Sequence, residues 1–174
     1  AADQVMKCAM ELGGNAPFIV FEDADLDAAV AGAIACKFRN NGQTCVCANR
    51  IYVQAGIYDA FAAKLKTAVE ELQVGDGLKD GTTLGPLIQA SAVDKVKEHL
   101  DDALSKVATV LTGGKVHALG GRFLEPTIVT HATQDMLVST DETFGPFAPL
   151  FKFEDEDDVI AKANDTIFGL ASYF

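Results

Sequence analysis

Two of the four cysteines in this sequence have the spacing and surroundings of a reactive thiol. Cys45 and Cys47 lie two positions apart in the stretch FRNNGQTCVCANR, residues 38–50, shortly after Gly42. A thiolate attacks carbonyl carbon readily, and basic neighbours and backbone N–H groups favour the thiolate over the thiol. Three basic side chains are close in sequence: Lys37, Arg39 and Arg50. The cysteine pair is therefore a candidate for a catalytic thiol.

Cysteines also have other roles in proteins. A free cysteine is most often a small buried hydrophobe, and we expect that role for Cys8 and Cys36, which lie within apolar segments. The sequence predicts no metal site, because one Cys-x-Cys pair has no second Cys or His pair at zinc spacing. A standing disulfide between Cys45 and Cys47 would close a very small, strained loop.

A thiol enzyme also needs a base. None of the three histidines has a recognisable motif around it, so a carboxylate is the natural candidate. Glu11 follows an apolar segment that we predict to be a strand, and it precedes two glycines, where the backbone can turn sharply. Glu11 is either this base or an ordinary solvated side chain at the end of a strand.

Length and charge restrict the class of protein. A chain of 174 residues suits one domain with its own core, and a net charge of −11 argues against nucleic acid as a partner. No apolar run approaches the ~20 residues of a membrane span, so we expect no membrane association. Four cysteines are too few for a secreted disulfide scaffold, and no signal segment opens the chain, which favours a cytoplasmic location.

Hydrophobic periodicity predicts an α/β fold. Helical spacing occurs in four segments: 22–39, 57–72, 91–107 and around 159–163. Strand-like segments alternate with them: 4–12, 18–21, 49–54, 107–114, 123–130, 136–139 and 147–153. Ser91 and Asp94 match a capping box for the third helix, and residues 74–88 are rich enough in Gly and Asp to predict a long loop.

Four motifs, in this order and spacing, resemble the catalytic domain of the NAD(P)-dependent aldehyde dehydrogenases. They are ELGGNAPFIVFEDADLDAAV, FRNNGQTC, LGPLI and ETFGP, and together they cover nearly the whole chain. The extended text KFRNNGQTCVCANRIYV is most similar to the succinate-semialdehyde dehydrogenase branch of the family. The resemblance implies an open, mostly parallel sheet flanked by helices.

The resemblance also implies a role for individual residues. The nucleophile falls on Cys45 and the general base on Glu11, while Glu142 and Phe144 take the positions that contact the ribose and nicotinamide of NAD or NADP. A thiohemiacetal and then a thioester form on Cys45 during aldehyde oxidation. Arg39 matches an arginine that clamps the distal carboxylate of a semialdehyde, the alternative being an arginine paired with a local acid.

Cys47 has two readings beside such a nucleophile. A neighbouring thiol can resolve a sulfenic acid as a reversible disulfide, and strained disulfides are the labile, regulatory kind. Cys47 is therefore either a redox partner that silences Cys45 or a small buried side chain.

The resemblance places the family's separate nucleotide-binding domain before residue 1 and most of its oligomerisation element after residue 174. We therefore expect residues 1–174 to be a catalytic domain cut from a longer protein, which acts on a small aldehyde and forms a homo-oligomer when complete. Two alternatives remain. One is a cofactor-independent thiol hydrolase that uses Cys45 and Glu11, and the other is a folded fragment without turnover of its own.

Overall fold

A five-stranded sheet forms the centre of the computed structural model, which describes all 174 residues. The strands lie in the order β1-β2-β5-β4-β3, and every neighbouring pair is parallel except the antiparallel pair of β3 and β4. Their bounds are Ala16–Val20 for β1, Ala48–Gln54 for β2, Thr109–Thr112 for β3, Thr127–Ala132 for β4 and Phe147–Phe153 for β5.

Five α-helices cover the two faces of this sheet. They are α1 (Leu26–Lys37), α2 (Tyr58–Glu70), α3 (Ala90–Ser105), α4 (Leu137–Thr140) and α5 (Glu156–Asn164). One hydrophobic cluster joins α1 and α2 to one face of the sheet, and a second joins α3, α4 and α5 to the other face. None of the helices combines the length and apolar character that crossing a membrane requires.

Neighbouring residues of the central strands belong to different hydrophobic clusters. In β2, Ile51 and Val53 belong to the cluster with α1 and α2, whereas Tyr52 between them belongs to the other. In β5, Leu150 and Phe151 divide in the same way. Successive side chains of a strand point to opposite faces, so both faces of the central strands are buried. The structure confirms the predicted α/β class and its mostly parallel sheet.

The helix predictions were accurate where a cap or a regular apolar stripe was present. The side chain of Asp25 accepts hydrogen bonds from the backbone N–H groups of Asp27 and Ala28, which fixes the start of α1. Asp155 accepts from the N–H of Asp158 at the start of α5. The predicted capping box of α3 is wrong, because the helix begins at Ala90 and Ser91 already lies within its first turn.

Two strand predictions are also wrong. Of residues 136–139, Met136 is the N-cap of α4 and the other three lie within the helix, where the hydroxyl of Ser139 donates to the carbonyls of Gln134 and Met136. Short apolar runs do not distinguish strand from helix.

The predicted strand over residues 4–12 is replaced by a short 3₁₀ helix, Ala2–Gln4, and an exposed segment that pairs with no strand. Cys8 lies in this segment and is exposed, so the prediction that it is buried is wrong. Glu11 therefore follows an irregular, exposed stretch of chain rather than the end of a strand.

Arg50 is a fully buried cation that joins β2 to α5. Its guanidinium donates to the carbonyls of Lys162 and Ala163 at the end of α5 and to the carbonyl of Asn15 just before β1. The carbonyl end of a helix carries partial negative charge, which compensates the buried cation. Arg50 therefore has a structural role, and the sequence-based reason for placing it beside a reactive thiol does not hold.

Chain topology brings three connecting segments to one edge of the sheet. Strands β1, β2 and β5 are parallel neighbours, so the residues directly before Ala16, Ala48 and Phe147 all lie at the amino ends of these strands. These are the segments that carry the ELGG, GQTC and ETFGP motifs. The candidate chemistry is therefore assembled at the amino edge of the sheet.

Candidate active site

The ELGG segment lies directly against the cysteine loop. A Cβ built on Gly14 would lie 2.1 Å from the carbonyl oxygen of Cys45, far inside any allowed contact. Only glycine permits this approach. The second glycine of the motif therefore fixes how closely the segment before β1 can pack on the loop before β2.

The same glycines hold the carboxylate of Glu142. The N–H of Gly14 donates to Oε1 of Glu142 at 3.1 Å, and a Cβ on Gly13 would lie 2.7 Å from Oε2. A charge-assisted bond to a backbone N–H orients a carboxylate well. The ETFGP loop is thus attached to the ELGG segment through Glu142.

The cysteine loop also packs on the ETFGP loop without an intervening side chain. Gly42 has a φ of +73°, and a Cβ on it would lie 2.0 Å from the carbonyl oxygen of Gly145. The two residues before it, Asn40 and Asn41, have φ values of 50° and 58°. Asparagine is among the few residues that accept this left-handed conformation. The three motif segments therefore contact one another pairwise.

The LGPLI motif braces the cysteine loop from another side. The side-chain amide of Asn41 donates to the carbonyl of Gly85 at 2.8 Å, and the N–H of Ile88 donates to the side-chain oxygen of Gln43 at 3.0 Å. Asn41 is buried and Gln43 is half-buried. Both bonds fix the loop that leads to Cys45.

Cys45 is half-buried, and no protein group forms a hydrogen bond with its sulfur. Its backbone N–H also makes no hydrogen bond within the chain. A backbone N–H that lies beside a thiol and is not already engaged can donate to an oxygen that becomes negative when the thiolate attacks a carbonyl. The immediate surroundings of Cys45 thus suit nucleophilic attack.

Cys47 differs from Cys45 in being completely buried. Its sulfur lies 2.7 Å from the hydroxyl oxygen of Thr44 and 3.6 Å from the carbonyl oxygen of Lys37, to which the thiol donates. These contacts satisfy the packing interpretation of Cys47. A disulfide with Cys45 would require the Cys47 side chain to leave both partners.

The burial of two polar residues of the site could not be predicted from the sequence, which indicated Lys37 only as a basic neighbour of the thiol and gave no signal for Asn49. The Nζ atom of Lys37 donates to Oδ1 of Asn49 at 2.8 Å, and Nδ2 of Asn49 donates to the carbonyl of Gly14 at 3.3 Å. Both residues are at most 1% exposed. Burial lowers the pKa of Lys37 to about 8, while Cys47, Cys36 and Glu142 act in the opposite direction. A lysine at the end of a helix is ordinarily predicted to be solvated.

The residues on either side of Phe144 contact helix α3. Phe144 has a φ of 54°, which is rare for an aromatic residue, and about a third of it is exposed. The buried ring of His99 lies 3.0 Å from the hydroxyl of Thr143 through Nδ1, and Val96 of the same helix packs on Gly145. Burial and the charge of Lys95 lower the pKa of His99, which favours a neutral ring.

Two predicted site residues make no polar contact in the chain. Glu11 is exposed, and its carboxylate forms no hydrogen bond or ion pair, so it is not joined to Cys45. Arg39 is exposed and forms no ion pair with an acid of this chain. Burial raises the pKa of Tyr173 to about 12, and the charge of Arg39 acts in the opposite direction. The hydroxyl of Tyr173 donates to the carbonyl of Val46 at 2.7 Å.

The exposed parts of the ETFGP loop fit a nicotinamide dinucleotide. A carboxylate accepts hydrogen bonds from ribose hydroxyls, and Glu142 is half-buried at the edge of the site. The partly exposed aromatic ring of Phe144 offers a flat apolar surface beside it.

Comparisons with known proteins agree with this arrangement. The model of the aldehyde dehydrogenase family matches residues 1–174. The chain is 65% identical to a glutarate-semialdehyde dehydrogenase of Pseudomonas aeruginosa and 63% identical to the succinate-semialdehyde dehydrogenase of Escherichia coli that is named as NADP(+)-dependent. Each alignment covers 99% of this chain and 36% of the relative, so the chain spans about a third of the length of these relatives.

Solved structures show the same similarity. A crystal structure of an NADP-dependent enzyme from Escherichia coli superposes with a TM-score of 0.97 at 62% identity, and a succinate-semialdehyde dehydrogenase from Burkholderia pseudomallei with a TM-score of 0.96 at 61% identity. Each superposition covers 99% of this chain and 36% of the solved one. With the full-length match to the family model, these similarities confirm the resemblance seen in the motifs: the chain belongs to the aldehyde dehydrogenase family.

Proposed function

We propose that this chain is the thiol-bearing catalytic domain of an enzyme that oxidises succinate semialdehyde to succinate with NAD or NADP. The observation that carries the proposal is the convergence of the Cys45 loop, the two glycines of the ELGG segment and the carboxylate of Glu142 at one edge of the sheet. The complete enzyme is the longer chain, equal in length to the relatives, that contains these 174 residues.

Cys45 performs the first half of the reaction. Its thiolate forms a C–S bond to the aldehyde carbon, and the carbonyl oxygen becomes an oxyanion that the Cys45 N–H stabilises. The resulting thiohemiacetal loses the former aldehyde hydrogen as hydride, which leaves a thioester on Cys45. A nicotinamide dinucleotide, when bound, would supply the hydride acceptor, and Glu142 and Phe144 would hold its ribose and its nicotinamide ring.

Glu11 performs the second half as general base. It takes a proton from water, the water oxygen adds to the thioester carbon, and the C–S bond breaks to give the acid and the Cys45 thiolate. In this structure Glu11 is exposed and bonded to no other group. The role requires the carboxylate to lie within reach of a water beside Cys45, and the glycines that follow Glu11 permit a sharp turn of the segment.

Arg39 is the proposed selector of substrate. It is an exposed cation without an acidic partner, six residues before Cys45. The names of the relatives cited above specify succinate and glutarate semialdehydes, and another at 61% identity is a 3-sulfolactaldehyde dehydrogenase of Pseudomonas putida. All three aldehydes carry an anionic group at the far end, which a guanidinium recognises.

The remaining proposals concern the complete enzyme. Its cofactor is bound mainly by a domain outside these 174 residues, which also decides between NAD and NADP. We further propose a homo-oligomer in a reducing, cytoplasm-like compartment, where the free thiols persist. The alternative of a cofactor-independent thiol hydrolase is disfavoured, because it gives no role to Glu142 and Phe144.

The first prediction tests the nucleophile. In the complete enzyme, Cys45→Ala is expected to lower the rate of succinate semialdehyde oxidation by at least about 10³-fold, because no C–S bond can form. Cys8→Ala, at an exposed thiol, is the matched control and is expected to keep wild-type activity. Formation of reduced cofactor, followed by absorbance, is the measurement. The isolated 174-residue chain is expected to form no reduced cofactor. A Cys45→Ala enzyme with appreciable turnover contradicts the mechanism.

The second prediction concerns substrate choice. Arg39→Ala is expected to raise KM for succinate semialdehyde by roughly 10- to 100-fold, because a charge-assisted pair contributes about 1.5–3 kcal/mol. KM for butanal, which has the same carbon count and no carboxylate, should change less than about threefold. Glutarate semialdehyde, tested in parallel, shows whether the pocket prefers the longer chain. Equal increases for succinate semialdehyde and butanal would eliminate Arg39 as the carboxylate ligand.

The third prediction concerns Cys47 as a redox partner. Peroxide is expected to inactivate the complete enzyme with loss of two free thiols, and dithiothreitol is expected to restore activity through reduction of a Cys45–Cys47 disulfide. Cys47→Ala should be inactivated irreversibly. If the activity of Cys47→Ala recovers as fully as that of wild type, Cys47 is a packing residue whose thiol contacts Thr44 and the carbonyl of Lys37.

A further inference from the structure

Lys37 is a buried ammonium that lacks the partners such a group normally has. It is completely inaccessible to solvent, yet its three donors find one acceptor, Oδ1 of Asn49. It forms no salt bridge. Removing a cation from water is costly unless it is paired, so a residue of this kind needs a reason to be retained.

A chain of three hydrogen bonds leads from Lys37 to the carboxylate of the ETFGP loop. Nζ of Lys37 donates to Asn49, Nδ2 of Asn49 donates to the carbonyl of Gly14, and the N–H of Gly14 donates to Glu142. Gly14 is bonded on both of its peptide groups, and its Cα lies against the carbonyl of Cys45. The orientation of the Gly14 backbone therefore depends on Asn49, and that of Asn49 depends on Lys37.

We propose that Lys37 is a positioning residue of the dehydrogenase reaction: through Asn49 and Gly14, its buried ammonium holds the Glu142 carboxylate in the orientation that receives the cofactor ribose. The inference rests on the proposed function, since the ribose contact of Glu142 is part of it. Asn49 can present its oxygen to Lys37 only when its NH₂ group faces Gly14, so the ammonium selects the side-chain amide orientation that the site needs.

The charge of Lys37 has a predicted signature in stability. The ionisable groups that face it are Cys36 on α1, Cys47 in the turn before β2 and Glu142 in the loop before β5. Its pKa is lowered by burial to about 8 in the folded protein, whereas an unfolded lysine titrates near 10.4. Between these values the unfolded chain binds more protons, so the stability of wild type rises with pH relative to a variant without the amine.

The test uses substitutions in the complete enzyme that separate charge from volume. Lys37→Met keeps the length of the side chain and removes the charge and donor, and Lys37→Arg keeps both. For Lys37→Met we expect the KM of the cofactor to rise roughly tenfold, with the KM of succinate semialdehyde changed less than twofold, because a bond network to a carboxylate is lost. Lys37→Arg should keep the cofactor KM within about threefold of the wild-type value.

Two further measurements do not need turnover. Fluorescence titration with reduced cofactor should show weaker binding to Lys37→Met by a similar factor. Thermal unfolding from pH 7 to pH 10 should show the melting temperature of wild type rising relative to that of Lys37→Met across pH 8–10. If Lys37→Met does not fold, Lys37→Leu, which also lacks the charge and the donor, replaces it with the same expectations.

The outcomes separate this inference from the proposed function. A wild-type enzyme that neither binds cofactor nor oxidises the aldehyde refutes the proposed function itself. An active wild type with unchanged cofactor KM and affinity in Lys37→Met refutes the positioning role. A loss of kcat without a change in either KM shows only a reduced fraction of folded enzyme, and it also overturns the inference.

Discussion

The close contact between Gly14 and the carbonyl of Cys45 is the constraint on which the site depends. A methyl group at Gly14 would lie 2.1 Å from that oxygen, and the N–H of the same residue binds Glu142. One glycine thus joins the segments before three parallel strands. Ligands of open α/β sheets usually bind at the carboxyl ends of the strands, whereas this site lies at the amino ends of β1, β2 and β5. Backbone contact at glycines, rather than a crevice between helices, brings the residues together.

Around this contact the protein places polar groups that a stable core would ordinarily avoid. Arg50 is compensated by the carbonyl end of α5, and its burial is explained by the fold alone. Lys37 has a single acceptor, which connects it to the site. Asn41 and Phe144 have left-handed backbone conformations in the two loops that meet at Gly42 and Gly145. The left-handed residues of these two loops and the buried charge of Lys37 therefore lie where the proposed chemistry takes place.

Much of the fold and part of the site could be predicted from the sequence. The apolar stripe of α2 and the strand-like runs of β2 and β5 carried clear periodic signals, whereas residues 136–139 were too short and apolar to distinguish helix from strand. Gly42 was expected to allow a tight backbone, and the structure shows its contact with Gly145, whereas the close approach of Gly14 to Cys45 was not predicted, since the ELGG glycines indicated only a sharp turn. The role of Lys37 could not be predicted, because it arises from burial and from Asn49, twelve residues away in a different element. Cys8 was misassigned because an apolar segment without a partner strand stays exposed.

The most direct test of this account is the pre-steady-state burst of reduced cofactor in the complete enzyme carrying Gly14→Ala. The control is Gly77→Ala, at a loop position where an added Cβ meets no atom within 4 Å. The burst measures how much Cys45 is oxidatively acylated in the first turnover. If the Gly14 contact assembles the site, folded Gly14→Ala has a burst amplitude at least about tenfold smaller than wild type, because the Cys45 loop and Glu142 must separate to admit the methyl group. Gly77→Ala is expected to keep the wild-type burst amplitude. A full burst from folded Gly14→Ala would contradict the account.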